Sequence, residues 1–487
     1  MSAVTLGTIQ TQIPARLDRL PWSSFHWRII AGLGTAWILD GLEVTIVGSI
    51  GARLTQPGSG IAMTTATIGT AGSVYVAGAC LGALFFGQLT DRHGRRRLML
   101  ITLGVYIVAT VATAFAFAPW FFFLTRFFTG AGIGGEYAAV NSAIDEMIPA
   151  RHRGQVDISI NGSYWAGSAL GGLAALLFLD QAIFATNIGW RVAFGVGATF
   201  GLVILLVRRT LPESPRWLFI HGRDPEAEAI VGRIEQGTQA EIDHPLDPPG
   251  STITVRQRAS IPFTEIARVA VRFYPRRVIL GLALFIGQAF LYNAVTFNLG
   301  TMLSTFYGVA SGTVPIFVFV FAIGNLTGAL FLSRFFDTLG RRPMISGTYL
   351  VSAGLTVVLA LLLVRGGLNR YTFILLVAVV FFFASAGASA AYLTVSEIFP
   401  METRALAIAL FYAVGTGIGG IIGPSLFGNL IQGGPSAIAI GFFVGAVVMA
   451  LGGIAELIVG VRAERMPLEN IAKPLTVADA EQNRGRC

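Results

Sequence analysis

Twelve long apolar runs alternate with short polar loops along the chain, at approximately residues 28–52, 63–89, 97–117, 120–147, 156–179, 190–208, 276–304, 313–336, 343–364, 371–397, 405–431 and 436–460. Each reaches roughly 20 residues, the length a helix needs to cross a hydrocarbon core of about 30 Å. The pattern predicts an all-α membrane protein of twelve transmembrane helices. Residues 1–27 read as a polar tail without the features of a cleaved secretory signal, so the first run is expected to stay as an anchor. The one long polar interruption, 209–275, divides the runs six and six. Inside it, DPEAEAIVGRIEQ has helix-forming residues behind a proline, and 262–275 has an apolar rhythm at Phe263, Ile266, Val269 and Phe273. Short amphipathic helices are expected at both places, joined by the Pro- and Asp-rich connector EIDHPLDPPGST.

Composition agrees with a multi-pass membrane protein. The 487 residues are 54% hydrophobic and only 12% charged, with mean hydropathy +0.69. The 59 glycines are abundant inside the runs, where helices approach one another without a hydrophobic force between them. The two cysteines, Cys80 and Cys487, support neither a disulfide framework nor a metal cluster. Of the 34 Lys and Arg, Arg53, Arg191, Arg365 and Arg370 lie near one side and Arg126 lies inside a run, while the rest fall on the other side. The positive-inside rule makes that richer side cytoplasmic and places both termini there. Topology thus accounts for the net charge of +8, and scattered basic residues give no nucleic-acid surface. No glycine–lysine phosphate cradle appears, nor any nucleophile–base or metal constellation. An ATP-driven pump and an enzyme are therefore not expected, and no cofactor is implied.

The chain repeats itself. Residues 87–98, GQLTDRHGRRRL, recur as SRFFDTLGRRPM at 333–344, an offset of 246. Glu146, Pro149 and Arg153 recur as Glu397, Pro400 and Arg404, an offset of 251. Two parallel halves follow. The expected organisation is a cytoplasmic tail 1–27, a six-helix bundle 28–208, a cytoplasmic central loop 209–275, a second six-helix bundle 276–460 and a cytoplasmic tail 461–487.

Charges inside the runs mark candidate chemistry. An acid at a helix centre costs roughly 2.5–3.5 kcal/mol on insertion scales, so it normally faces a cavity or a partner. Asp40 and Glu43, in LDGLEVTIVG, are three residues apart and are expected on one face, close enough for at least one to hold a proton. Counted at 1.5 Å per residue from the helix ends, Glu43 and Arg126 reach similar depth, so the two can pair if their helices are neighbours. Glu136 is a third embedded acid, either a relay member or a structural partner.

GQLTDRHGRR, its partner in the second half and RFFTGAGIGGE resemble the major facilitator superfamily over nearly the whole chain. PESPRWL at 212–218, the Glu146–Arg153 loop and SEIFPMETR at 396–404 resemble its sugar-porter and organic-ion branch. The resemblance implies alternating access, with Asp91, Arg95, Arg96, Glu146, Arg153, Glu213, Arg216, Asp337, Arg341, Glu397 and Arg404 forming cytoplasmic latches that hold the outward-facing state. Asp91 and its neighbouring arginines are expected to meet Glu146 and Arg216. The resemblance also puts Glu43 at the proton-carrying acid of sugar porters, opposite Arg126. Asp40 departs from that pattern and is similar to the Asp-Gly-x-Asp element of aromatic-acid symporters. Gln288 and Asn293 match two positions of the sugar-porter amide element, whereas Gly287 and Leu291 depart from it. Tyr392 stands where a substrate-contacting tryptophan is frequent. Tyr292, Asn161, Trp165, Asn325 and Tyr412 are expected around the same cavity.

Helix 5 lacks the Gly-Pro element of drug antiporters, and the pair occurs instead at Gly423–Pro424. The function implied is secondary transport of a small polar organic solute, sugar-like or an organic acid, by proton-coupled symport. A uniporter or exchanger of organic ions, or a transport-inactive sensor, are the alternatives. The absence of an embedded cation in the second half favours a neutral or hydroxylated solute. The partners are that solute, protons and the bilayer of the cell membrane, and the protein is expected to act as a monomer.

Overall fold

The computed structural model describes residues 7–54, 57–61, 63, 65–209, 211–250, 252–257, 268, 271–272, 274–310, 313–400, 404–466 and 468–472. The apolar runs become helices whose ends fall within a few residues of those expected. In chain order these are α2 (Ser24–Leu54), α3 (Thr65–His93), α4 (Arg95–Ala114), α5 (Pro119–Met147), α6 (Arg153–Gly162), α7 (Tyr164–Phe178), α8 (Gly189–Arg208), α11 (Pro275–Tyr307), α12 (Val314–Thr338), α13 (Arg341–Val364), α14 (Arg370–Ile398), α15 (Arg404–Ile431) and α16 (Pro435–Val459). Among the described residues ten helices are long and apolar enough to cross a membrane. The expected fourth span, α5, carries the buried charges Arg126, Glu136, Asp145 and Glu146. The expected fifth is interrupted at Ser163, whose hydroxyl donates to Gly34 O at 3.0 Å, and so runs as α6 followed by α7.

Proline at the first turn starts α5, α11, α12 and α16, where its missing N–H costs nothing. Gly94 and Gly340 precede α4 and α13 with φ of 96° and 102°, a conformation that excludes side-chain-bearing residues there. Helices α2 and α7 touch backbone to backbone, since a Cβ on Gly41 or Gly167 would collide with Tyr164 O or Ile38 O. In the first half α3 and α4 pack on α5; in the second α11 packs on α15, α13 on α16, and α12 on α14. Helix α3 meets α15, and α6 and α7 meet α12, so a central seam runs between the two sets. The outer surface carries Val108, Leu375 and Ile458, exposed as lipid-facing residues are.

The expectation of an all-helical chain with a plain polar tail needs correction. Residues Thr8–Thr11 form β1, which pairs antiparallel with β2 (Ile253–Arg256), Thr8 opposite Arg256 and Thr11 opposite Ile253. Packed beside this pair are α1 (Ile13–Asp18), α9 (Pro215–Ile220) and α10 (Asp224–Gln239). Ile13, Leu17 and Leu20 of the N-terminal arm bury against Trp217, Leu218, Phe219, Ala227, Val231 and Val255. This apolar core holds the arm in place. Burying each large side chain is worth about 1.5–3 kcal/mol, whereas the rim pairs of Arg16 and Arg19 with Glu235 at 2.5 Å, still reached by solvent, add about 0–1 kcal/mol each. The expected helix at DPEAEAIVGRIEQ is α10. The one expected at Phe263, Ile266, Val269 and Phe273 lies outside the described residues. A short α17 (Leu468–Ile471) closes the described chain.

Candidate functional site

A cavity of about 170 Å³ lies on the central seam. Its wall comes from both sets of helices: Trp37 and Asp40 of α2, Tyr75 of α3, Tyr137 of α5, Asn161, Tyr164 and Trp165 of α6–α7, Gln288, Tyr292 and Asn293 of α11, Ser385, Ser389 and Tyr392 of α14, and Tyr412 and Thr416 of α15. Asp40 is the one carboxylate in this wall, and among the described residues no Lys, Arg or His lines it. Its two oxygens accept from the hydroxyls of Tyr75, at 2.9 Å, and Tyr137. Tyr137 stacks on Trp37 with ring centres 4.4 Å apart, and Tyr392 and Tyr412 stand edge-on to Tyr137. A flat, hydroxyl-bearing guest would find ring faces, amides and hydroxyls together.

Most of the expected cavity residues are in this wall. Asn325 is not. It is fully buried behind the wall, where its Oδ1 accepts from Tyr292 Oη at 2.8 Å, so it orients Tyr292 instead. Sequence reasoning missed Trp37, Tyr75, Tyr137 and Tyr164, because aromatic residues inside an apolar run carry no local mark.

Glu43 and Arg126 form a buried ion pair between α2 and α5, at 2% and 1% exposure. Arg126 is completed by Thr113 Oγ1 at 2.8 Å and Thr129 Oγ1 at 3.0 Å, and its guanidinium lies 4.8 Å from the centre of the Phe194 ring. The shared face expected for Asp40 and Glu43 is not how they act. Three residues along a helix leave side chains about 60° apart, enough at the cavity edge to turn Asp40 inward and Glu43 to Arg126. Glu136 belongs to neither group: it pairs with Arg208 of α8, whose Nε donates to Gly32 O at 3.1 Å.

Below the cavity, at the arginine-rich end, the repeated motifs meet. In the first half Arg95 binds Glu146 at 2.9 Å and Asp91 at 3.3 Å. In the second, Arg341 binds Glu397 at 2.9 Å and Asp337 at 2.8 Å. Links that cross between halves include Arg404 to Glu146 at 3.8 Å, Arg153 to Glu397 at 4.0 Å, and the Gln155 N–H to Asp337 at 2.7 Å. Three expectations are corrected here. Arg96 is exposed and donates to Arg209 O at 2.6 Å, outside the network. Arg216 meets not Asp91 but the carbonyls of Asp145 and Glu146, at 3.1 and 2.9 Å, and Asp18 at 3.2 Å. Glu213 caps α4 by accepting from the N–H groups of Arg95 and Arg96, at 2.9 and 3.3 Å. Burial pushes the Glu213 carboxyl up, and these N–H groups partly offset the rise. Glu464 repeats the cap under α13, accepting from the Arg341 N–H at 3.4 Å. Its signal was in the sequence, since it lies 251 residues after Glu213, the same interval as Glu146 to Glu397.

Helices packed around a seam cavity, with paired latch motifs at one end, define a transporter of the major facilitator superfamily. The comparisons with known proteins narrow this. Residues 43–473 match the family described as sugar (and other) transporter, and the chain belongs to that family. It is 29% identical to the niacin transporter NiaP of Acinetobacter baylyi over 68% of this chain and 72% of that protein. It is 28% identical to the putative metabolite transport protein YaaU of Escherichia coli, over 82% and 85% of the two chains. Among solved structures, the proton:xylose symporter XylE of E. coli superposes with a TM-score of 0.77 at 19% identity, covering 92% of this chain and 98% of that one, a likeness of fold. The protein is thus a multi-pass membrane transporter, and its relatives are transporters rather than enzymes.

Proposed function

We propose that the protein is a proton-coupled symporter of a small, polar, ring-bearing organic solute, which binds in the seam cavity. The observation that carries this reading is the cavity wall: both sets of helices contribute, it is rich in aromatic faces and amides, and among the described residues its one charge-bearing side chain is Asp40. In this reading the chain crosses the membrane twelve times, with 28–208 and 276–460 as halves that rock about the cavity, the termini, 209–275 and the latch end being cytoplasmic. Glu43 carries the coupled proton. Ionised, it holds Arg126 and keeps α2 on α5; protonated, it releases that hold and lets α2 close over a bound solute. Asp40, held by two tyrosines, orients the solute through their hydroxyls.

The solute is uncharged or hydroxylated on two grounds. Arg126 is already paired with Glu43, Thr113 and Thr129, and a bare substrate carboxylate would face Asp40 with no cation in the described wall. The relative named as a niacin transporter supports the ring of the solute and not its lack of charge, since niacin is a carboxylic acid. A thermal-shift screen of the purified protein with hydroxylated ring compounds, aromatic acids and small cations, at pH 5.5 and 7.5, tests the solute class. Hydroxylated ring compounds should raise the melting temperature, and Trp37→Ala and Gln288→Ala should remove the shift. A shift with small cations alone contradicts this solute class.

A further inference from the structure

The latch contains more acid than its arginines can hold. Arg95, Arg153, Arg216, Arg341 and Arg404 are buried there with Asp91, Asp145, Glu146, Asp157, Asp337 and Glu397, five cations against six carboxylates. At the rim, Asp18 and Glu213 add two further acids. Five of the six buried acids have an arginine within 4.0 Å: Asp91 and Glu146 meet Arg95, Asp145 meets Arg153, and Asp337 and Glu397 meet Arg341. Asp157 has no such ion pair among the described residues. It is fully buried, and among the described residues no donor meets either of its carboxylate oxygens in hydrogen-bond geometry, the neighbouring Asn161 amide donating to the Asn141 side chain and the Asp157 carbonyl instead.

The groups that face Asp157 make an anion there more costly still. Asp145 on α5 and Glu397 on α14 act on it as like charges, and Arg341 at the start of α13 opposes them. Asp337 on α12 is engaged by Arg341 and by the Gln155 N–H. An isolated buried carboxylate is strongly unfavourable as an ion and is relieved by binding a proton. The position has a second property. Asn161, one helical turn further along α6, lines the seam cavity and donates to the Asp157 carbonyl at 2.8 Å. Asp157 therefore lies between the cavity and the latch.

We propose that Asp157 is a second proton-binding site, occupied while the latch is closed and emptied toward the arginine-rich face when the latch opens. The proposal rests on the alternating-access reading above, but not on Glu43 being the coupled group. The step is a plain protonation: a proton from the cavity or the adjoining water joins one carboxylate oxygen of Asp157, and it leaves to water when the two halves part. With the proton bound, five buried cations face five buried anions, and only Asp18 and Glu213 at the rim remain in excess. Without it, Asp157 repels Glu397 across the seam, with Asp145 of its own half adding to the local negative charge, and the halves separate. Raising the pH therefore opens the latch.

The test measures latch opening directly. Spin labels at Arg92→Cys and Thr338→Cys, both exposed at the latch end of α3 and α12, report the separation of the halves by pulsed electron resonance in nanodiscs. The background carries Cys80→Ser, Cys487→Ser and Glu43→Gln, so the proton of the first site does not contribute. The expected result is an open-to-closed ratio that rises with pH, by up to about tenfold per unit for one linked proton, and then levels off. Asp157→Asn, a neutral isostere, should hold the ratio constant and low, while Asp157→Glu should keep a titration. A flat response in the parent protein, or an unchanged titration in Asp157→Asn, overturns the inference. If Asp157→Asn does not fold, the parent and the glutamate variant decide alone. Absence of any second separation, at every pH and with every solute of the screen, overturns the alternating-access reading as well.

Discussion

Asp40 and Glu43 differ in what surrounds them. Asp40 is held by neutral tyrosine hydroxyls at the edge of a cavity, whereas Glu43 is matched to a buried arginine. The consequence for stability is asymmetric, because removing one member of a buried pair strands the other. Arg126→Ala should lower stability by about 3–5 kcal/mol, and Glu43→Ala by a similar amount, while the double variant should recover part of the loss. Melting curves in one detergent check this, and additive losses would show that the pair is not a unit. The embedded charges were legible in the sequence because an acid stands out in an apolar run. Their partners were less so: Glu136 reads equally as a relay or a structural group until Arg208 is seen beside it. The tyrosines around Asp40 were illegible, since an aromatic ring that lines a cavity and one that packs on a neighbour look alike in sequence.

At the scale of elements, the membrane helices were legible nearly to their ends, because hydrocarbon thickness fixes their length and prolines mark their starts. The cap formed by β1, α1, α9, α10 and β2 was not. Its strands are four residues each and pair across more than 240 residues of chain, a relation that no local pattern encodes. Its core makes two predictions. Leu17, 1% exposed, should cost about 2–5 kcal/mol of cap stability when replaced by alanine, read as faster protease cutting in the connector 242–250. Acid should loosen the cap too. Burial holds the His221 imidazole down to about 4, below its usual value near 6.5, so the opened cap binds more protons between those values. Cap stability should therefore fall as pH drops from about 6.5 to about 4 and then level off, and His221→Gln should flatten that response.

The whole molecule reads as one design used twice. The 251-residue interval relates Glu146 to Glu397, Arg153 to Arg404 and Glu213 to Glu464, so each half supplies a buried acid to the latch and the segment that follows it supplies a helix cap. The crossing links, Arg404 to Glu146 and Arg153 to Glu397, join the halves in the state seen here. Replacing both Glu146 and Glu397 by glutamine should shift the protein toward the conformation open at the latch end, seen as increased labelling of a cysteine placed at Val156, which is buried in the closed state. The central claim is that a proton at Glu43 drives solute accumulation. Its most direct measurement is uptake into proteoliposomes under an imposed pH gradient, using a solute found in the binding screen. Wild-type protein should accumulate that solute above equilibrium, and Glu43→Gln should lose accumulation while still exchanging solute across the membrane. Full gradient-driven accumulation by Glu43→Gln would contradict the account.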